Sequence, residues 1–445
     1  SGRPALPVPR LQVEIVLPPV GGWNHRDALP LMNAKDAIKL DNWIPDTNAV
    51  RLRPGFSVHA TLQATATAIE SLIQYSPPST STAKLFAATP TSIYDVTAAT
   101  TASSTASVIG GLTNGRWQDA QMTNTAGSFL AIVNGADQPR KYDGSSWATC
   151  SVSASGLTRT NLIGIHNHMN RLWFIEENQN HVWYLATSAI EGTLTKFLLP
   201  FKQGGKLLAM GSWSRDGGSG PDDLAVFVSS EGECVIYAGT DPSSSTTSAL
   251  VGIFDIPEPI GRRCLINAGA DLGILTSQGL LPLSQVLGMS AGAAARTSFT
   301  DKISGAFKDQ YFATGTSFGW QCIEYPRQNL LIVNVPIQER TTQYQYVMNI
   351  NTGAWCRFTG MNAGCWSLLG DDLYFGGNGG VIYKFDTGST DNGSRITATM
   401  QSAYSMFRTP RTKRIVMARP IFNAPAGYNP PVTIQTDYDI SEPTI

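Results

Sequence analysis

Several residue groupings in the chain could do chemistry, and each asks for a particular geometry. His166-Asn167-His168 would set two imidazoles on one face of a strand, an arrangement a metal ion can use. No third ligand follows at metal-binding spacing, and a strand edge showing polar residues accounts for the triplet equally well. The pattern Gly-x-Ser-x-Gly occurs at Gly288–Gly292 and at Gly315–Gly319. A nucleophile elbow needs a strand-to-helix turn with an acid and then a histidine downstream. His181 is the last histidine in the chain, so neither serine has its base. The carboxylate pairs Glu176-Glu177, Asp222-Asp223 and Asp371-Asp372 fall at strand turns. Glycoside hydrolysis needs two carboxyls facing one sugar, and nothing in their spacing provides that. Gly376–Gly380 has the composition of a phosphate loop but joins two strands and opens no helix. It reads as a hairpin turn, with Asn and Gly taking positive φ. H-E-x-x-H and G-K-[ST] are absent. The expectation is therefore a protein that is not an enzyme, with no catalytic, cofactor-binding or metal-binding residue assigned and no cofactor.

Weaker signals point the same way. Ser214-Arg215-Asp216-Gly217-Gly218 resembles the first half of the Ser-x-Asp-x-Gly turn of sialidase propellers. It occurs once and lacks the Trp that completes that turn, so a Gly-rich loop beside a strand is the simpler reading. Trp173, Trp183 and Trp213 could form platforms for sugar rings, although core packing explains them as well. Asn392-Gly393-Ser394 has the form of a glycosylation sequon and reads as a turn. The six cysteines are scattered, with no pair at CxxC spacing, which argues for buried free thiols and leaves a Cys356–Cys365 disulfide open.

The bulk properties exclude further classes. Of 445 residues, 42% are hydrophobic and only 15% charged, against roughly 25% charged in average proteins. Gly (42) and Pro (26) punctuate a chain whose polarity comes from Ser, Thr, Asn and Gln, a balance that suits short strands and tight turns. A net charge of -1 argues against holding nucleic acid by phosphate neutralisation. The one basic cluster, Arg408, Arg411, Lys413, Arg414 and Arg419, reads as a solvated edge or a subunit contact. No apolar stretch is long enough for a membrane helix, and Ser1–Val20 lacks the order of a signal peptide, so neither a membrane anchor nor export is expected.

The elements that must carry these residues recur along the chain. An apolar run, a turn, and a second run ending in an aromatic residue or Leu appear at Lys84–Val96, Ser128–Tyr142, Arg171–Leu185 and Leu224–Tyr237. They appear again at Leu272–Leu283, Leu330–Phe358 and Leu373–Phe385. Roughly seven hairpins at this spacing predict an all-β β-propeller of about six to eight blades. Several runs are apolar throughout, which implies strands buried on both faces by neighbouring blades. The expected layout is an N-terminal docking segment over 1–60 with a short helix at Ala34–Asp41, and a propeller over 61–405 with a helical insertion near 287–315. A C-terminal β element over 406–445 follows, marked by the strand-like VTIQTDY.

The segment GGWNHRDALPLMNAKDAIKLDNWIPDTNAVRLRPGF carries N-x-R-D, L-D-N-x-x-P and R-x-G in order. Together with PIGRRCLINAGADLGILTSQGLLPLSQVL, TDKISGAF, GWQCIEYPRQNLLIVNVP and QYVMNINTGAWCRF, it resembles the tail nozzle proteins (tail tubular protein B type) of short-tailed bacteriophages. The likeness runs from about Gly21 to Phe422. It implies a structural virion protein of the viral tail: a homohexameric propeller ring below the portal and adaptor (the head-to-tail connector). The genome would be ejected through the ring's central channel without specific DNA binding, and tail fibres or a needle would dock on the ring. The family has no catalytic residues to carry over. The alternative is a glycan-binding or glycan-cleaving propeller for host recognition.

Overall fold

A computed structural model describes residues 13–63, 67–78, 82–216, 221–244, 246–269, 271–286, 298–407, 409, 412–424 and 430–441. The strand Arg171–Glu176 shows how this sequence becomes sheet. Leu172 and Phe174 point to one face and Trp173 and Ile175 to the other, and none is more than 4% exposed. The first pair packs with Met122 and Val133 of the preceding sheet, the second with Met210 and Phe227 of the following one. A strand apolar on both faces can be buried only between two sheets.

Seven of the sheets hold three or more strands, and we number them as blades in chain order. Blade 1 spans Ser71–Gly110, blade 2 Gln118–Thr149, blade 3 Leu162–Leu198 and blade 4 Leu207–Asp255. Blade 5, Leu265–Pro282, has three strands; blade 6 comprises Gln321–Phe358 and blade 7 Cys365–Phe385. Apolar layers join blades 1 and 2, 2 and 3, 3 and 4, and 4 and 5. One large cluster links blades 5, 6 and 7, and another returns from blade 7 to blade 1. The circle is closed, and the chain is a β-propeller.

Closure uses the N-terminal segment. Phe56–Leu62 pairs antiparallel with Val381–Phe385 and supplies the fourth strand of blade 7. The propeller therefore begins at Phe56 rather than at residue 61. Blade 6 is extended by Asp36–Asp41, which meets Ala354–Phe358 at Asp41 and Arg357 and pairs along its other edge with Thr399–Ser402. The short helix expected at Ala34–Asp41 is thus a strand. Ala37 and Leu40 are fully buried, and the offered sheet edge outweighs a weak local helix preference.

The helical insertion is present as a 3₁₀ turn at Asp301–Ile303 running into the helix Ser304–Thr314, where Ile303 and Phe307 are buried. Residues 287–297 lie outside the described set. Among the described residues beyond Ser402 there is no strand, so the C-terminal β element is absent there. Val432 and Ile434 of VTIQTDY are instead half exposed and find no pairing partner. No helix among the described residues is long and apolar enough to cross a membrane.

Candidate functional site: the propeller axis and its seal

The first strand of each blade faces the axis. Between these strands lies a cavity of about 240 Å³, whose lining includes Trp117, Asp119, His166, Met210, Arg263 and Gln321. At roughly 30 Å³ per water it has room for about eight water molecules. Asp119 lines this cavity with its side chain exposed to it, and desolvation by the strands that enclose the axis pushes its carboxyl up to about 6 against the pull of Arg263. Burial pushes the His166 imidazole down to about 4, with His168 adding in the same direction.

One end of the axis is sealed by charge. Glu70, Arg116, Arg263 and Phe318 each stand just before the inner strand of their blade. The inner strands run the same way around the ring, so these residues gather at one end. The Phe318 ring lies between two guanidiniums, Arg116 and Arg263, each 4.7 Å from its centroid. Arg263 donates to Ser71 Oγ at 2.7 Å, Trp117 O at 3.0 Å and Glu70 O at 3.3 Å. The Glu70 carboxylate, 2% exposed, accepts from Gly115 N at 2.8 Å and is gripped by Arg340. Glu339 accepts from Arg116 at 2.6 Å and from Phe318 N at 2.9 Å. Burial lowers the basicity of Arg263, which a guanidinium tolerates while staying charged. The network ties blades 1, 2, 5 and 6 together across the axis.

The groupings singled out in the sequence meet different fates. His166 and His168 share one face, and both imidazoles bond Ser212 Oγ, at 2.9 and 2.8 Å. Among the described residues no group of three His, Cys, Asp or Glu side chains could hold a metal. Gly315–Gly319 follows a helix instead of preceding one, and Phe318 within it belongs to the axial seal. Gly288–Gly292 lies outside the described residues, as do Gly217 and Gly218, Arg408 and Arg411. Ser214 donates to Asp223 at 2.5 Å across blade 4. Lys413, Arg414 and Arg419 are exposed.

One carboxylate of each pair, Glu176, Asp223 and Asp372, is engaged in holding structure, while Glu177 and Asp371 are exposed. Glu176 accepts from Trp183 Nε1 at 2.8 Å and Thr158 N at 2.9 Å, while Asp372 pairs with Lys384 at 2.5 Å and Arg327 at 3.2 Å. Gly376–Gly380 is a hairpin turn, with positive φ at Gly380 but not at Asn378, which donates to Thr341 O. Asn392 and Gly393 form a turn with positive φ at both. Trp173, Trp183 and Trp213 are 4%, 2% and 4% exposed, so none offers a face to a sugar. All six cysteines are free and buried, Cys356 and Cys365 included.

Sequence reasoning missed the seal altogether. The adjacent arginines Arg262-Arg263 inside an otherwise apolar block were the one available signal, since such a pair is buried only with partners.

The fold is that of a β-propeller. No family profile matches the chain, and no curated protein does. Solved structures do. BBS1N in complex with ARL6DN is 10% identical with a TM-score of 0.45, covering 78% of this chain and 100% of that one. The WD40 β-propeller domain of Doa1 is 9% identical with a TM-score of 0.43, covering 75% and 97%. The extracellular domain of the putative one-component system BT4673 from B. thetaiotaomicron is 9% identical with a TM-score of 0.47, covering 84% and 48%.

Proposed function

We propose that the protein is a structural ring subunit of a short-tailed phage tail, the nozzle below the portal and adaptor, assembled as a homohexamer. The supporting observation is what the motif residues of the resemblance do. Asn24 of N-x-R-D bonds Asp27 at 2.9 Å and Asp36 at 2.8 Å, while Arg26 pairs with Asp301 of the TDKISGAF block. Asp41 of L-D-N-x-x-P receives a two-pronged bond from Arg357 of the QYVMNINTGAWCRF block, at 2.7 and 2.8 Å. Asn42 accepts from Arg53 at 2.8 Å, and Arg53 grips Asp391 at 2.6 and 2.8 Å. At Gly55 of R-x-G a Cβ would lie 2.0 Å from Thr390 O, so only glycine allows the approach. These residues knit the leading segment to blades 6 and 7. That is the expectation for a rigid building block.

The propeller's own axis, closed at one end and holding a cavity of about 240 Å³, cannot conduct nucleic acid. The genome would pass along the axis of the ring, between copies. A near-neutral chain suits such a wall, because each neutralised phosphate would add affinity and slow passage. Adaptor subunits and tail fibres or a needle are the partners this reading assigns. The test is mass photometry of the purified chain with electron microscopy of particles. Rings of about six copies, found again in the tail, are expected; a monomer at all concentrations that is missing from particles would overturn the proposal.

A further inference from the structure

Blades 3 and 4 meet over a layer in which Trp173, Phe197, Phe227 and Tyr237 pack with ring centroids 5.1 to 6.4 Å apart. At the end of that layer, beside the turn between His168 and Arg171, lies a second cavity of about 20 Å³. Three of its lining residues carry a buried nitrogen bonded to no protein atom: His168 Nε2, Arg171 Nε and Trp173 Nε1. They are neighbours. His168 and Arg171 face each other across the hairpin, and the His168 and Trp173 rings are 6.5 Å apart. His168 and Trp173 are each 4% exposed. Natural interiors pair nearly all such groups, so three orphans at one cavity ask for a guest.

The chemistry of the lining selects that guest. Arg and Trp nitrogens donate and cannot accept. Burial lowers the His168 pKa and so favours the neutral ring, and its Nδ1 is engaged with Ser212 Oγ, which also meets His166 Nε2. The direction of the chain His166 Nε2, Ser212 Oγ, His168 Nδ1 follows the tautomers; with the Ser212 hydroxyl donating to His168 Nδ1, the remaining hydrogen is on His168 Nε2. Three N–H groups then serve the cavity. A water there would satisfy two of them and bring two hydrogens of its own; an anion only accepts. Arg171 also brings positive charge that is loosely compensated, its carboxylate partner Asp241 standing 3.4 Å away and 42% exposed. The edges of the surrounding aromatic rings are the electropositive side of their quadrupoles. A void of this size exceeds the minimum for one water, roughly 10–15 Å³, but admits no oxyanion of several atoms.

We propose that this cavity is a monoatomic anion site, in which a halide ion such as chloride is held by His168, Arg171 and Trp173 at the seam of blades 3 and 4. The site is independent of the nozzle reading. Crystals of the protein grown in sodium bromide and measured at the bromine edge are expected to show an anomalous peak in the cavity, in contact with the three nitrogens. In solution, the melting midpoint should rise with sodium bromide or chloride relative to sodium gluconate at equal ionic strength, because a ligand that binds only the folded state stabilises it. Trp173→Phe keeps the ring and removes the N–H, and should weaken the apparent halide affinity by about tenfold, the loss of roughly one charge-assisted hydrogen bond. Arg171→Lys, which keeps the charge and removes Nε–H, should do the same and serves if the tryptophan variant fails to fold. Density with no anomalous signal together with a halide-independent midpoint would mean a water molecule and would overturn the assignment.

Discussion

The seam where the ring closes and the seam between blades 3 and 4 solve the same packing problem with different chemistry. Blades 3 and 4 are built from hairpins adjacent in the chain, and their seam is an aromatic layer with weakly paired charge, Arg171 to Asp241 at 3.4 Å. Blade 7 must instead capture a strand from the other end of the chain, Phe56–Leu62. There the polar groups are matched closely: Arg53, fully buried, grips Asp391, and on the neighbouring blade 6, which takes its own strand from the same leading segment, Asp41 grips Arg357. Apolar contact is non-directional and serves well where connectivity already fixes the partner. Where distant segments must find one register, buried two-pronged ion pairs add geometric specificity.

This contrast can be broken in stages. Deleting the chain through Leu62 removes the fourth strand of blade 7 and uncovers Phe375, Ile382 and Phe385. It should abolish the single cooperative transition in urea followed by circular dichroism; retention of a sharp transition at an unchanged midpoint would show that closure does not depend on this strand. Next, Asp391→Ala leaves the fully buried Arg53 guanidinium without its carboxylate and should cost about 3–5 kcal/mol in equilibrium unfolding. The matched change at the other seam, Asp241→Ala, should leave the unfolding midpoint unmoved, because that carboxylate is solvent-screened. Equal losses at both seams would erase the distinction.

The smallest effect is one of pH. His166 is lowered to about 4, so the unfolded chain takes up its proton first and stability falls as pH drops from about 6.5 toward 4. Asp119 is raised to about 6, so the folded state holds its proton longer and stability falls as pH rises from 3.8 toward 6. The two slopes oppose each other in one window. Asp119→Asn should therefore steepen the acid loss between pH 6 and 4 by up to about one proton per molecule, read from unfolding free energy against pH. An unchanged slope would mean that Asp119 titrates normally.

What was legible in the sequence was the middle of each blade. Every hairpin recognised there, from Lys84–Val96 to Leu373–Phe385, contains the second and third strands of one blade. Several of those strands, such as Arg171–Glu176 and Leu330–Gln338, are buried on both faces and so are apolar along most of their length. Inner strands such as Gln118–Asn124 border the polar axis, and outer strands such as Ser248–Asp255 border solvent, so their patterns are mixed and went unseen. Asp36–Asp41 was misread for a related reason: a short run with one Lys and two Asp has little preference of its own, and only the edges beside it make it a strand.

By itself, then, the sequence determined that the chain is all-β, that its hairpins repeat about seven times, and that each needs neighbours on both sides. These follow from local turn chemistry and from residue hydrophobicity, which travel with the chain. Tertiary structure alone decided which strand closes blade 7, that Glu70, Arg116, Arg263, Phe318 and Arg340 converge to seal the axis, and that His168, Arg171 and Trp173 leave three nitrogens around one void. The seal residues lie up to 270 positions apart, and no local pattern encodes a meeting that exists only once the circle is complete.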